Sequence, residues 1–182
     1  VSQRAVLSLL YELPFGPGKR WNPSSRALRR MAGGWQINSI GLMQTGIPLT
    51  VRGANNNQAD RPNSTGLSAR LDSPTRQRWI NTDVFVNPPD FTLGNVGRTL
   101  PDVRNPGTVN FDLSLIKDTS FTERLRLQFR AEAFNFLNRV NLALVDDGFR
   151  AGPDGKNSSA TFGTITSARD ARVIQFGLKL IF

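Results

Sequence analysis

The 182-residue chain contains no cysteine and no histidine. Without thiols there is no disulfide framework, no thiolate nucleophile and no Cys/His zinc site; without imidazole the usual general base near neutral pH is missing. Catalysis would have to rest on carboxylates, lysine or the single tyrosine, and no cluster with catalytic or metal-ligand spacing is found, so neither an enzyme nor a cofactor is expected. Acidic residues are also few: 14 Asp and Glu against 23 Lys and Arg leave a net charge of +9. That excess raises nucleic acid as a partner, but the cations are scattered and lack the aromatic interleaving of single-strand binders, so nucleic acid is not expected. The densest basic group, Lys19, Arg20, Arg26, Arg29 and Arg30, has no acid between its members. It suits acidic lipid headgroups or a partner, and equally a solvated connector. Missing too is any apolar run of the roughly 18 to 20 residues that a transmembrane helix requires.

What the chain does have is alternation. In the last residues Ile174, Phe176, Leu178 and Leu180 are apolar while Val173, Gln175, Gly177, Lys179 and Ile181 form a mixed face, and the strand stops at Phe182. Period two predicts a strand. Residues 1–13 alternate similarly, with Ala5, Leu7, Leu9, Tyr11 and Leu13 on one face. From Trp35 one parity holds through Ile37, Met43, Ile47 and Leu49 to Val51, which predicts a strand over 35–51 of about 55 Å at roughly 3.3 Å per residue. Gly46 and Pro48 are its weak points, and a bulge or two shorter strands is the competing reading. A hairpin is predicted from 109–118 and 124–137: Val109, Phe111, Leu113 and Leu115 pair with Leu125, Leu127, Phe129 and Ala131 on the oily side. A mean hydropathy of -0.31 fits such a design, because a spanning strand shows lipid only every second residue.

The connections sort by length. Pro14 to Gly18 breaks the first ladder, and a short helix is predicted over 24–31 before Gly33-Gly34. Residues 53–108, punctuated by Asn55-Asn56-Asn57, Arg61-Pro62-Asn63, Asn87-Pro88-Pro89 and Asn105-Pro106-Gly107, read as one long loop, and 138–169 as a second. With a periplasmic C-terminus, both long loops fall outside and the short Thr119 to Glu123 turn falls inside, the asymmetry of outer-membrane barrels. Tyr11, Trp35, Phe121 and Phe182 then share one interface, as an aromatic girdle would. The expected fold is all-β: an antiparallel meander forming the C-terminal strands of a large transmembrane β-barrel. Five strands cannot close a barrel, and unpaired edges in hydrocarbon cost several kcal/mol per orphaned group. The chain also begins in strand pattern at Val1 with no visible signal peptide, so it reads as the tail of something longer.

Seven motifs occur in order: Tyr-Glu-Leu-Pro-Phe-Gly at 11–16, Gly-Gly-Trp-Gln-Ile-Asn at 33–38, Thr-Gly-Ile-Pro-Leu-Thr-Val at 45–51, Gly-Asn-Val-Gly-Arg at 94–98, Phe-Asp-Leu-Ser-Leu at 111–115, Arg-Leu-Gln-Phe-Arg-Ala-Glu-Ala-Phe-Asn at 126–135 and the closing Phe-Gly-Leu-Lys-Leu-Ile-Phe. Together they resemble the C-terminal barrel region of Oar-like TonB-dependent receptors. The resemblance implies a barrel of about 22 strands around a plug, uptake driven by TonB through N-terminal parts that these motifs do not include, and location in the outer membrane. Implied partners are outer-membrane lipid, the barrel-assembly machinery, the TonB system and an unidentified substrate.

Three groups of residues are candidates for function. Gln175, Gly177, Leu180 and Phe182 would carry the assembly signal, a strand edge read by β-augmentation. Asp112, Arg126, Gln128, Arg130 and Glu132 would face the lumen, where they hydrate the interior or bond to a plug. Trp79, Asn81, Phe85, Phe91 and Asn95 are the ligand-facing candidates of the first loop, since stacking rings and amides suit sugars and chelates; a small core within the loop explains the three aromatics as well. Asp146, Asp147, Asp154 and Asn157 fail calcium-loop spacing and read as loop solvation. A soluble β-sandwich binding module, carbohydrate-binding for instance, is the alternative. What covers the Leu125, Leu127 and Phe129 face separates the two.

Overall fold

A computed structural model describes residues 2–53 and 60–182. Val1 and the Asn55-Asn56-Asn57 run lie outside the described residues. The chain divides into two compact units, one a sheet and the other built mainly from Gln44–Thr108 and Asn141–Arg169.

The sheet has five strands in the order of the chain: β1 (Arg4–Glu12), β2 (Trp35–Gln44), β5 (Thr108–Ser120), β6 (Arg126–Phe134) and β7 (Val173–Ile181). Between β1 and β2 lies α1 (Arg26–Ala32). Each strand runs 9 to 13 residues, against about 5 or 6 in an ordinary soluble strand, and 9 to 11 tilted residues cross a bilayer core. No helix among the described residues is long and apolar enough to cross a membrane.

Register fixes what each face carries. Leu113 pairs with Ala133, Leu115 with Ala131 and Thr119 with Leu127. Leu127 in turn pairs with Leu180, Phe129 with Leu178 and Ala131 with Phe176. The amide of Leu13 donates to Trp35 O and that of Thr45 to Gln3 O, which aligns the odd positions of β1 and β2. The apolar parity is therefore continuous across all five strands. Gly41 serves this face: a Cβ there would come 2.6 Å from the Phe111 ring, so glycine lets the ring lie across β2.

Nothing in the sheet unit buries that face. Leu7, Leu9, Phe176 and Leu178 are 61%, 53%, 72% and 70% exposed. The ends of the strands also sort: the Leu13–Trp35 bond, the Asp118 amide bonded to Gly34 O and the Arg126–Ile181 pair bring Tyr11, Trp35, Phe121 and Phe182 to one end. Gln44 of β2 and Thr108 of β5 stand at the opposite end of the sheet.

The second unit corrects two sequence expectations. The strand read over 35–51 ends at Gln44. Pro48 has no amide to donate, and Gly46 packs so closely on the Asn105 carbonyl that a Cβ would collide with it. Residues 47–52 instead lie between two irregular segments: Leu49 N donates to Val103 O, Leu100 N to Leu49 O, Arg52 N to Asp147 O and Phe149 N to Arg52 O. The alternation that ran on to Val51 is a packing signal, since Leu49 and Val51 are fully buried there.

Residues read as two separate long loops, 53–108 and 138–169, share one core: Ile80, Val84, Phe85, Val96, Leu100 and Val103 from the first, Val145, Phe149, Phe162 and Ile165 from the second. Regular structure among the described residues is slight, a 3-10 turn at Thr82–Val84 and the two-residue pairing of β3 (Asn63–Ser64) with β4 (Phe85–Val86). Buried Asn105 substitutes for a ladder, its Oδ1 accepting from Val145 N at 2.9 Å and its backbone amide donating to Ile47 O.

Candidate functional site

The polar face of the sheet carries the residues expected to face a lumen. Glu132 sits between Ser114 on β5 and Gln175 on β7. Its Oε1 accepts from Ser114 Oγ at 3.5 Å and its Oε2 from Gln175 Nε2 at 2.7 Å. Four residues back along β6, Gln128 Nε2 donates to Asp118 Oδ1 at 3.1 Å and Arg130 Nε to Gln128 Oε1 at 2.8 Å. Two separate polar ladders thus cross the strands, Ser114–Glu132–Gln175 and Asp118–Gln128, and Arg130 is bonded to the second along β6. Arg126 is exposed between Ser120 and Ile181.

Asp112 stands apart from these ladders and does a different task. Its Oδ1 accepts from Asn110 Nδ2 at 2.8 Å and from the Asn135 amide at 2.9 Å. Asn135, buried and at φ 49, is the hub of this end of the sheet. Its Nδ2 donates to Arg139 O and Asp170 O, and its Oδ1 accepts from Arg139 N. The left-handed backbone favours Asn over most residues. Sequence reading placed Asn135 inside the strand expected over 124–137; the Asn-x-x-Asn spacing was the available sign, since Asn138 also takes φ 50.

The ligand-facing candidates of the second unit are not gathered on one surface. Phe85 is 1% exposed and meets Phe162 edge-on at 5.7 Å. Trp79 packs on the same core and donates Nε1 to Arg104 O at 2.8 Å. Asn81 caps the 3-10 turn by accepting from Asp83 N, and Asn95 Oδ1 accepts from Ser64 N at 2.6 Å. Phe91 is 70% exposed at φ 57, with Leu93 beside it.

A concave site that sequence reading missed lies in the same unit. Ile47, Pro48, Thr50, Arg52, Arg61 and Arg98 line a cavity of about 430 Å³, with Asp60 on its wall. Its three arginines stand at separate points of the sequence, Arg61 in the Arg-Pro-Asn run and Arg98 at the close of the Gly-Asn-Val-Gly-Arg motif, and share no spacing that announces a common site. Asp146, Asp154 and Asn157 are turn formers, since Asp146 Oδ1 accepts from Gly148 N, Asp154 Oδ1 from Lys156 N and Asn157 Oδ1 from Ser159 N, while Asp147 is paired with Arg52 at 3.7 Å. Among the described residues no three potential metal ligands converge.

The terminal strand completes the inventory. Gly177 pairs with Arg130 and Leu180 with Leu127, Gln175 is bonded to Glu132, and Phe182 is 94% exposed. β7 is paired on one side only, at the edge of the five-stranded sheet, as β1 is at the other.

Comparison with known proteins adds one finding to this geometry. A family model described as outer membrane beta barrel domain matches residues 1–175. No curated protein and no solved structure matches the chain.

Proposed function

The chain belongs to the outer membrane beta barrel domain family, and from that premise we propose that it is the C-terminal part of an Oar-like TonB-dependent receptor. It is an all-β protein of the outer membrane. Within the receptor it supplies barrel wall, a folded unit that meets the ligand, and the strand by which assembly begins. The observation that carries this reading is the uncovered apolar face, continuous over five long strands and flanked by the two edges β1 and β7. In hydrocarbon those edges must be paired, so further strands complete the wall. The sandwich alternative needs a second sheet over Leu127 and Phe129. Leu127 and Phe129 are half-buried, Phe129 lying stacked on Phe176 of the same sheet at 6.3 Å, while Phe176 and Leu178 are open.

Support for the finer TonB-dependent assignment comes from motifs that hold structural posts. Gly34 of the Gly-Gly-Trp run takes φ 76, where a Cβ would strike the Asp118 carbonyl, and Asn135 of the Ala-Phe-Asn run is the buried hub. Uptake would be driven by TonB through other parts of the receptor, with barrel-assembly machinery reading Gln175, Gly177, Leu180 and Phe182. Phe91 and the arginine-lined cavity are the parts of the second unit offered to a substrate. The complete protein, extracted from outer membranes, is expected to capture the periplasmic domain of the TonB protein of its own organism. Failure to capture it would remove the TonB assignment and leave the barrel. Deleting Phe182 is expected to leave the receptor unassembled and degraded in the periplasm; normal insertion of that variant would end the assembly role.

A further inference from the structure

We propose that the connector between β1 and β2 is a binding site for one anionic phospholipid, its phosphate held by arginines of α1 and an acyl chain lying in the crevice beside them. The site rests on the barrel reading above and deepens it, by naming the lipid that the wall selects.

Two hollows are lined by consecutive residues at the end of α1, Gly33 and Gly34 in the first and Ala32 and Trp35 in the second. The first, about 410 Å³, is lined by Arg26, Arg29, Arg30 and Gly33, with Asp118 on its wall. Asp118 sets one negative charge, itself bonded to Gln128 Nε2, against three guanidinium groups, so the charged side chains of the hollow are cationic in sum. The second, about 330 Å³, is lined by Leu13, Phe15, Ala32, Trp35 and Leu115. Leu13, Trp35 and Leu115 belong to the apolar parity of the sheet, so this crevice opens on the side where acyl chains lie. Arg29 and Arg30 border the first hollow and Ala32 the second, so a phosphate and the chain attached to it have adjoining places.

The helix is fixed in that position by a cation placed on the apolar side. Lys117 Nζ donates to the carbonyls of Arg30, Met31 and Gly33 at 2.9, 2.9 and 2.7 Å, and lies 4.8 Å from the centre of the Trp35 ring. Trp35 Nε1 adds a bond to Met31 O at 3.0 Å. The lysine is thereby consumed in closing the helix C-terminus, where a cation is favoured. Phosphate recognition falls to the arginines, whose planar forks match phosphate oxygens in pairs.

Charge and apolar surface commit the occupant. The connector carries Lys19, Arg20, Arg26, Arg29 and Arg30 with no acid between them, and of these Lys19 is paired with Glu12 of β1. Trp21, Leu28 and Met31 stand exposed among them, an unfavourable arrangement in water and a favourable one at the level of headgroups. A free anion would use the arginines and leave the crevice and these three side chains without a role. The girdle residues Tyr11, Trp35 and Phe182 share this end of the sheet, which places the site in the leaflet at the C-terminal, periplasmic end.

The complete protein in dodecyl maltoside tests the site, with bound lipid read by native mass spectrometry. Phosphatidylglycerol is expected to be retained at least about tenfold more tightly than phosphatidylethanolamine. The Arg26→Gln, Arg29→Gln, Arg30→Gln variant should lose that preference, and Ala32→Trp, which fills the crevice, should lose the lipid with the arginines intact. If the triple variant does not assemble, Arg29→Gln alone should lower the preference severalfold. Equal retention of the two lipids, or an unchanged preference in the arginine variants, would overturn the site. Displacement by inorganic phosphate would reduce it to an anion site, and preferred retention of lipopolysaccharide would place it in the wrong leaflet; either result overturns it. A protein released from membranes by carbonate would refute the barrel reading itself, whereas an embedded barrel without lipid preference refutes this site alone.

Discussion

Leu49, Val51, Ile80 and Phe85 in the second unit are 0 to 1% exposed, whereas Leu7, Phe176 and Leu178 in the sheet are 61 to 72% exposed. These are similar side chains in one chain, and the difference lies in what each unit is built to meet. The second unit has little regular structure and closes a core of its own, the work of a body that faces water. The sheet has long regular strands, internal polar ladders on one face and an apolar face with no cover, the work of a wall that faces lipid. Exposure to solvent in the chain alone therefore means opposite things in the two units.

The largest effect that would sharpen this contrast is expected at Phe85. Replacing it by Ala removes the ring packed on Phe162 and should cost the second unit about 3–5 kcal/mol. Limited proteolysis of the inserted receptor would then cut within 60–108 or 141–169 while the sheet remains protected. Loss of the whole barrel with this change would mean that the two units are not independent in stability.

Leu178→Arg attacks the other side of the comparison. In a bilayer it should lower the folding stability by about 2–4 kcal/mol near the midplane, measured by reversible unfolding from vesicles. At an exposed position in water the same change would be within about 0.5 kcal/mol. Asn135→Leu comes next, at about 1–3 kcal/mol, because it orphans the Arg139 and Asp170 backbone groups that the side chain satisfies and forces φ 49 on a residue that resists it. The same unfolding assay would show it, and a loss below about 0.5 kcal/mol would demote Asn135 from its place as hub.

What the sequence showed depended on whether the information was periodic. The alternation over 109–118 and 124–137 and the strands at Thr108–Ser120 and Arg126–Phe134 share their faces, because period two depends on neighbouring residues alone. The helix expected over 24–31 stands at Arg26–Ala32. The strand expected to reach Val51 stops at Gln44, although Gly46 and Pro48 were visible, because continued parity outweighed a missing donor in the reading. The shared core of the two loops was not legible: Leu49, Phe85, Phe149 and Phe162 meet without spacing or repeat to announce it. For the same reason Phe85 and Trp79 could be named as notable aromatics, while their places against that core and the arginine-lined cavity nearby needed the fold.

The absence of cysteine from this chain makes a direct test practical. Single cysteines placed along 174–180, in a receptor freed of any others, would carry nitroxide labels in reconstituted bilayers. Collision rates with oxygen and with a water-soluble nickel chelate would then be compared by electron paramagnetic resonance. With lipid on the apolar face, labels at 174, 176, 178 and 180 collide mainly with oxygen, and those at 175, 177 and 179 mainly with the chelate. Chelate access at all seven positions would contradict the account.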